Sequence, residues 1–413
     1  QNNHVHVSKS TFLAGLSAEV HRWFRLTPSY GPDLVRKMLD DMHTDEGHVV
    51  LDPFSGAGTT LIESKMEGIQ CIGFEINPIL HFVCSISTRW DIDQSSIAEA
   101  YRRIERRFTK DRERLECKKV EDIGIPLPVI HNVFRWWRPD VLKDTLILRE
   151  AINKEADEVI RSFFRLSLAG VLVPDLTNVT LGRLQLHFID KSRHEIRVWE
   201  SFEKHTDRMI ADLAAIPEDR KRVKTEIYFG DSTSDDVLKV SEKIDRVITS
   251  PPYPNRYSYV WNTRPHLYML QMIEKAKEAS DIDCKTIGGT WGTATSVLTK
   301  GVVEPAFPVI AAEVVPIAAQ IRKTDDLMAN YLTHYFNRLA AQIMSQNRIL
   351  AKKASCAYVV GCSRLRDVYI ETDVLLGKVF EGLDIGFHVD RIERIRRRHS
   401  GKDLHESIVY VSR

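Results

Sequence analysis

Six short apolar runs constrain this chain more than any other feature: HVVLDPF (48–54), QCIGFEI (70–76), EIYFGDS (226–232), DRVITSP (245–251), CAYVVGC (356–362) and SIVYVSR (407–413). They are rich in β-branched residues and apolar on both faces, the pattern of strands buried inside a parallel sheet. Parallel neighbours need crossover connections, and residues 61–67 and 371–382 have the texture of crossover helices. The expected fold class is therefore α/β, a doubly wound and mostly parallel sheet. Pairing of 387–395 with 407–412 would close it with an antiparallel hairpin.

The interval 91–224 breaks this rhythm. Ile97, Tyr101, Ile104, Phe108 and Leu115 recur at spacings of 4, 3, 4 and 7, one apolar face of a long helix. Residues 142–169 read as further helix. So long an interval predicts a mostly helical insertion, because αβ connections usually take about 2–6 residues. The expected organisation is a discontinuous α/β domain (20–90, 225–280 and 340–413), the insertion 91–224, and a further segment at 281–339.

Composition excludes several classes. The 413 residues carry 58 Lys/Arg against 57 Asp/Glu, a net charge of +1, so any polyanion must be met by local clusters. With 43% hydrophobic and 28% charged residues the chain is globular rather than disordered. No apolar run is long enough to span a membrane. The start QNNHVHVSKS has no apolar core of a secretory signal, so a cytoplasmic location is expected. It also lacks an initiator Met, which implies numbering from inside a longer or processed chain. Cys71, Cys84, Cys117, Cys284, Cys356 and Cys362 form no CxxC pair, and no metal site is expected.

In LDPFSGAGTTLIES (51–64) a Gly-rich turn directly follows one strand and precedes a helix. Gly56 and Gly58 allow a tight turn and close approach of a ligand. Thr59 and Thr60 sit at the helix start, where free N–H groups favour a negative group. Glu75, seventeen residues beyond Gly58, ends the next strand, placed to accept bonds from ribose hydroxyls. The turn is neither a dinucleotide GxGxxG nor a P-loop. Asp231, after the third run, is a candidate for an adenine amino group.

The sharpest motif is Thr249-Ser250-Pro251-Pro252-Tyr253 at the end of the fourth run. Two prolines fix their φ angles and remove two donors, leaving a rigid ledge of carbonyl oxygens. Such a ledge suits an exocyclic amine on a planar base. The Pro251 carbonyl and the Ser250 hydroxyl accept its two N–H bonds, and Tyr253 stacks on the ring. Near-attack positioning of this kind can be worth on the order of 7–11 kcal/mol.

DPFSGAGTT, FEINP (74–78) and TSPPY together resemble the S-adenosylmethionine-dependent DNA amino-methyltransferases, most closely the N4-cytosine-specific group. RLTPSYGPDLVRKML (25–39) is similar to the family segment that closes over the methionine end of the cofactor, and the tail is similar to its last strands. The resemblance covers about half of the chain and implies a Rossmann-like catalytic domain. It also implies S-adenosyl-L-methionine as cofactor, base flipping from double-stranded DNA, and a restriction-modification setting that allows a cognate endonuclease as partner. The implied cofactor contacts are Tyr30, Asp52, Pro53, Phe54, Ser55, Gly56, Gly58, Thr59, Thr60, Glu75, Ile76, Asn77, Asp231 and Ser232. Ser250, Pro251, Pro252 and Tyr253 would hold the target base. Serine opening the PPY motif is more typical of N4-cytosine enzymes, with N6-adenine as the alternative. The long interval before Asp231 departs from the family pattern. An RNA guanine-N2 enzyme usually has Asp or Asn before PPY. A catalytically inactive nucleic-acid-binding subunit would not need the intact motifs. No Pro-Cys dipeptide supplies a C5-cytosine nucleophile.

Ligands of open α/β sheets bind beyond the carboxyl ends of the strands, so the segment after TSPPY should face DNA, with 20–90, 225–280 and 340–413 as the catalytic domain and 281–339 as the candidate target-recognition or DNA-contact segment. Arg256, Tyr257, Arg264 and Trp291 are the expected contacts, joined by Arg396, Arg397 and Arg398 at the turn of the last hairpin. The basic run 101–119 carries nine Lys/Arg against four acids and reads as a solvated helix face. The root of the insertion should lie at the opposite edge of the sheet, far from DNA.

Overall fold

The computed structural model describes residues 15, 17–27, 29–182, 185–289, 293–397 and 404–413. Its strands are β1 (Val49–Asp52), β2 (Gln70–Glu75), β3 (Val179–Leu181), β4 (Leu186–Phe188), β5 (Thr225–Phe229), β6 (Ile244–Thr249), β7 (Leu350–Gly361), β8 (Ser363–Leu365), β9 (Val368–Ile370), β10 (His388–Arg397) and β11 (His405–Ser412). Seven of them form one sheet in the order β10-β11-β7-β6-β1-β2-β5. The pairs from β5 through β2, β1 and β6 to β7 are parallel, and β11 alone runs against both of its neighbours. All six apolar runs lie in this sheet, and the fold is Rossmann-like α/β.

Burial on both faces explains the absence of polar alternation. Leu51, Ile72, Val247, Tyr358 and Val409 join one core, while the adjacent Val50, Cys71, Ile248, Ala357 and Ile408 join another. The second core is covered by α1 (Pro32–Asp41), α2 (Thr59–Met66) and Cys84 of α3 (Pro78–Ser87).

Between β2 and β5 the chain is mainly helical: α4 (Gln94–Arg114), α5 (Val133–Trp136), α6 (Pro139–Asn153), α7 (Glu158–Val171) and α8 (Val198–Ala215), with the small β3–β4 hairpin. Ile97, Ala100, Ile104 and Phe108 are the buried stripe of α4. The stretch 142–169 is two helices rather than one, because Asp157 caps α7 by accepting from Val159 N at 2.8 Å and Ile160 N at 3.0 Å. The basic run turns inward onto acids: Arg103 and Arg107 both reach Glu155, at 2.7 and 2.5 Å, and Arg112 reaches Asp144 at 3.0 Å.

These helices share one continuous core with α3 and α9 (Tyr259–Met269), through Val83, Phe163, Phe164 and Leu267. Arg149 donates to Met269 O at 3.2 Å and Arg165 to Leu270 O at 2.5 Å, capping the carboxyl end of α9. The other face of the sheet is covered by α10 (Asp326–Asn347) and α11 (Thr372–Gly382). The boundary expected at 339/340 falls inside α10, whose 22 residues pack as one rod; a segment break belongs before Asp326. No described helix is long and apolar enough to cross a membrane.

Candidate active site

Strands β1 and β6 are parallel neighbours, so the Gly-rich turn and the Pro-Pro loop leave the sheet side by side. The turn is held by backbone: Ser55 N donates to Phe74 O at 3.0 Å, and Gly58 N to Ser55 O at 2.7 Å. Gly56 has φ +53° and Gly58 +95°, values that favour glycine. A Cβ on Gly58 would lie 2.9 Å from Cys84 Sγ, so Gly58 serves the packing of α2 on α3. Sequence reasoning missed Gly73, where a Cβ would stand 2.3 Å from Ser55 Oγ. Its lack of a side chain lets the turn lie on β2.

Glu75 organises the turn. Its carboxylate accepts from Gly56 N at 2.8 Å, Ile76 N at 2.9 Å and Asn77 N at 2.8 Å. Burial pushes its pKa up to about 7 against these three N–H donors. Asn77 Oδ1 caps α3 through Ile79 N at 3.2 Å, while its amide reaches Thr263 Oγ1 of α9 at 3.1 Å.

A cleft of about 780 Å³, open to solvent, runs past both motifs. Of the expected cofactor residues, Tyr30, Pro53, Phe54, Ser55, Gly56, Thr59, Glu75, Ile76, Asn77, Asp231 and Ser232 line it. Asp52, Gly58 and Thr60 do not line it, a correction with a clear cause. Asp52 is 1% exposed and spends its oxygens on Thr249 Oγ1 (2.6 Å), Phe54 N (3.0 Å) and Tyr30 OH (3.3 Å). Burial raises its pKa. Thr60 bonds Tyr30 OH and Ile248 O. These residues position the walls. Thr59, Thr60 and Leu61 open α2 with N–H groups that no acceptor among the described residues takes. Asp231 faces the cleft, but Arg338 Nη2 holds one oxygen at 2.9 Å and Thr233 N and Oγ1 hold the other at 2.9 and 2.7 Å.

Leu26 and Ser29, from the segment 25–39 before α1, also line the cleft. Lys285, Thr286 and Ile287 arrive from beyond α9 and carried no sequence signal; long-range packing alone brings them in. Tyr259, the first residue of α9, also lines the cleft.

At the Pro-Pro loop, Ser250 and Pro252 line the cleft, while Pro251 and Tyr253 stand outside that lining. The Pro252 carbonyl accepts from Tyr335 OH at 2.8 Å. Among the described residues no group hydrogen-bonds the Ser250 hydroxyl or the Pro251 carbonyl. Arg256 is exposed with φ +62°, its N–H held by Tyr331 OH at 3.2 Å. Tyr257 is 5% exposed and packs edge-on against Tyr259 at 4.8 Å, so its ring is interior. Arg264 lies 3.0 Å from the Trp261 ring centre and 5.1 Å from that of Trp136; burial lowers its pKa to about 10, still a cation at neutral pH. Trp291 and Arg398 lie outside the described residues. Arg396 and Arg397 are placed by their backbone alone, opposite Glu406 and His405 near the end of β10.

The DNA methylase family matches this chain over residues 17–81, from the segment before α1 through the Gly-rich turn and Glu75 to α3. Type II methyltransferase M.BsoBI of Geobacillus stearothermophilus is 23% identical over 314 residues, 67% of this chain and 59% of the relative. Type II methyltransferase M.AvaI of Nostoc sp. is 21% identical over 419 residues, 92% of this chain and 82% of the relative. Over residues 17–81 the chain is similar to the DNA methylase family, and both relatives are Type II methyltransferases. The chain thus spans less than two thirds of the length of M.BsoBI. The rRNA methyltransferase aviRa of Streptomyces viridochromogenes overlaps at TM-score 0.33 and 10% identity, covering 100% of this chain and 96% of that one, too loosely to place residues. The cleft suits a nucleoside sulfonium: it pairs a buried carboxylate and helix-start N–H groups, without an acceptor among the described residues, with a glycine turn at positive φ.

Proposed function

We propose that this chain methylates the exocyclic N4 of a cytosine flipped out of duplex DNA. The observation that carries the reading is Ser250, which lines the cleft that holds Glu75 and whose hydroxyl, like the adjacent Pro251 carbonyl, has no hydrogen-bond partner among the described residues. In this reading Glu75 accepts from the ribose hydroxyls and the N–H groups of Thr59 and Thr60 face the methionine carboxylate. Phe54, Ser55, Gly56, Ile76 and Asn77 form the walls, Tyr30 lies near the methionine end, and Asp231 with Ser232 lies toward the adenine. When bound, S-adenosylmethionine supplies an electrophilic methyl group.

Ser250 and Pro251 accept the two N–H bonds of the target amine and so orient its nitrogen lone pair. Tyr335 keeps the neighbouring Pro252 carbonyl occupied, which fixes the ledge. Tyr253 stacks on the base. Lining residues that follow β1 and β6, end β2 and precede α1 would hold the two reactants in register within the cleft. The catalytic unit is assigned to 20–90, 225–280 and the chain from α10 onward, with 91–224 as an insertion. A cognate restriction endonuclease is the partner implied by this reading.

The test is methyl transfer from labelled cofactor to duplex DNA, with the product nucleoside identified by mass spectrometry. N4-methylcytosine is expected. N6-methyladenine would reassign the target base, and C5-methylcytosine or no transfer would overturn the mechanism.

A further inference from the structure

The insertion does not stay on the far side of the sheet. Helix α5 brings Trp136 to Arg264 of α9, five residues beyond the Tyr259 that lines the cleft. Trp136 meets Phe188 of β4 edge-on at 4.9 Å, and the Arg135 guanidinium lies 3.9 Å from the Phe188 ring centre. The result is a file of rings and guanidinium groups, Trp261–Arg264–Trp136–Phe188–Arg135, running from α9 onto the insertion. Its outer end is exposed: Phe134 is 41%, Phe188 39% and Ile189 38% accessible.

Charge points the same way. Lys191, Arg208, Arg25 and Lys204 all lie within electrostatic reach of the single acid Asp175, which follows α7. Arg25 directly precedes Leu26, a lining residue of the cleft. Among the described residues none of these four cations, nor the exposed Arg135 and Arg193, has an acidic side chain at ion-pair distance. On α4, Arg103, Arg107, Arg112 and Arg114 are paired with acids, while among the described residues Arg102, Arg106 and Lys110 are not. A chain of net charge +1 thus carries a cationic patch on its insertion that continues through Arg25 to the chain lining the cleft at Leu26.

We infer that this patch of the insertion is a duplex-DNA surface, with Arg135, Arg193 and Lys204 on phosphates and the Phe188 ring against the groove. The inference rests on the reading of the cleft as a DNA-base site and deepens it. It moves a main DNA contact from the segment 281–339 to the helical insertion. The open cations match a polyanion and not an acidic peptide in one respect that can be measured: each phosphate contact adds about 0.9 to the slope of log affinity against log salt.

The probe is a 30-base-pair duplex of arbitrary sequence, titrated by fluorescence anisotropy at several salt concentrations with the full chain. Replacing Arg135→Gln, Arg193→Gln and Lys204→Gln together is expected to weaken binding at least tenfold and to reduce the salt slope by about 2–3. A paired-helix control, Arg112→Gln with Arg114→Gln, is expected to leave both unchanged. Cofactor affinity by calorimetry and thermal melting should match the parent in all variants. If the triple variant fails to fold, Phe188→Ala, at an exposed ring, is read in its place and should weaken duplex binding several-fold. Parent-like affinity and slope in the folded triple variant would overturn the proposal while leaving the cleft reading intact. Failure of the parent to bind duplex DNA, with cofactor bound normally, would overturn both.

Discussion

Thr249 Oγ1 donates a 2.6 Å hydrogen bond to Asp52 Oδ1, joining the last residues of the two strands that carry the cofactor turn and the Pro-Pro loop. Both partners are almost fully buried, at 0% and 1% exposure. The bond fixes one motif relative to the other, because Asp52 also holds Phe54 N on one side and Tyr30 OH on another.

Thr249→Val keeps the shape and removes this donor from a buried carboxylate. A loss of about 1–3 kcal/mol of stability is expected, read by thermal or urea unfolding. Cofactor affinity and methyl transfer should fall together, since both motifs lean on Asp52. Unchanged melting and unchanged activity would show the bond to be dispensable.

Two glycines of the same turn should fail in different ways. Gly56→Val places a β-branched side chain at φ +53° in the wall of the cleft, where only Leu26 lies nearby at 3.5 Å. Loss of cofactor affinity with the fold retained is expected by calorimetry. Gly58→Ala puts a Cβ 2.9 Å from Cys84 Sγ at φ +95°, away from the lining. Its cost should appear mainly as a lowered melting temperature, and the reverse pattern would exchange the two roles.

Cofactor affinity should depend on pH through Glu75. Its folded pKa of about 7 lies above the ordinary 4.5, so the contribution of the ligand-free protein's Glu75 to stability is fully present below 4.5 and lost as pH rises through 7. Ribose hydroxyls donating to the carboxylate favour its ionised form. Affinity should therefore rise with pH through about 7, by about tenfold between pH 6 and 8, with proton release on binding. Calorimetry in buffers of different ionisation enthalpy reads both quantities. Glu75→Gln should bind weakly and without this pH dependence.

Ser250→Ala removes one acceptor for the target amine and leaves the proline ledge in place. Its cost is expected at roughly 1–3 kcal/mol in the barrier, about one to two decades in rate, with cofactor affinity unchanged. Tyr335→Phe releases the Pro252 carbonyl and should lower kcat by a smaller factor, again without touching cofactor affinity. Full activity in Ser250→Ala would defeat the assigned role. Tyr253→Ala should instead weaken base capture by about 1–3 kcal/mol through lost stacking.

The sheet was legible because burial on both faces leaves no polar alternation to confuse the reading, and because Gly and Pro end its strands. Gly56, Glu75 and Ser250 were legible for a related reason: backbone rigidity and a carboxylate at a strand tip are local properties. The roles of Asp52 and Gly58 were not, since they depend on Thr249 and Cys84, which are distant in sequence. Tyr257 looked like a DNA contact until packing against Tyr259 took its ring inside.

The sequence by itself determined the strands, the two motifs and their order, since local patterns of hydrophobicity and φ restriction need no distant partner. Only the tertiary structure decided which cations stay open. Ion pairing is a matter of a few ångströms across α4 and α6, and no pattern along the chain encodes it. The same packing carried Trp136 to Arg264 across more than a hundred residues of sequence, because the apolar faces of the insertion find much of their burial against α3, α9 and the chain before α1.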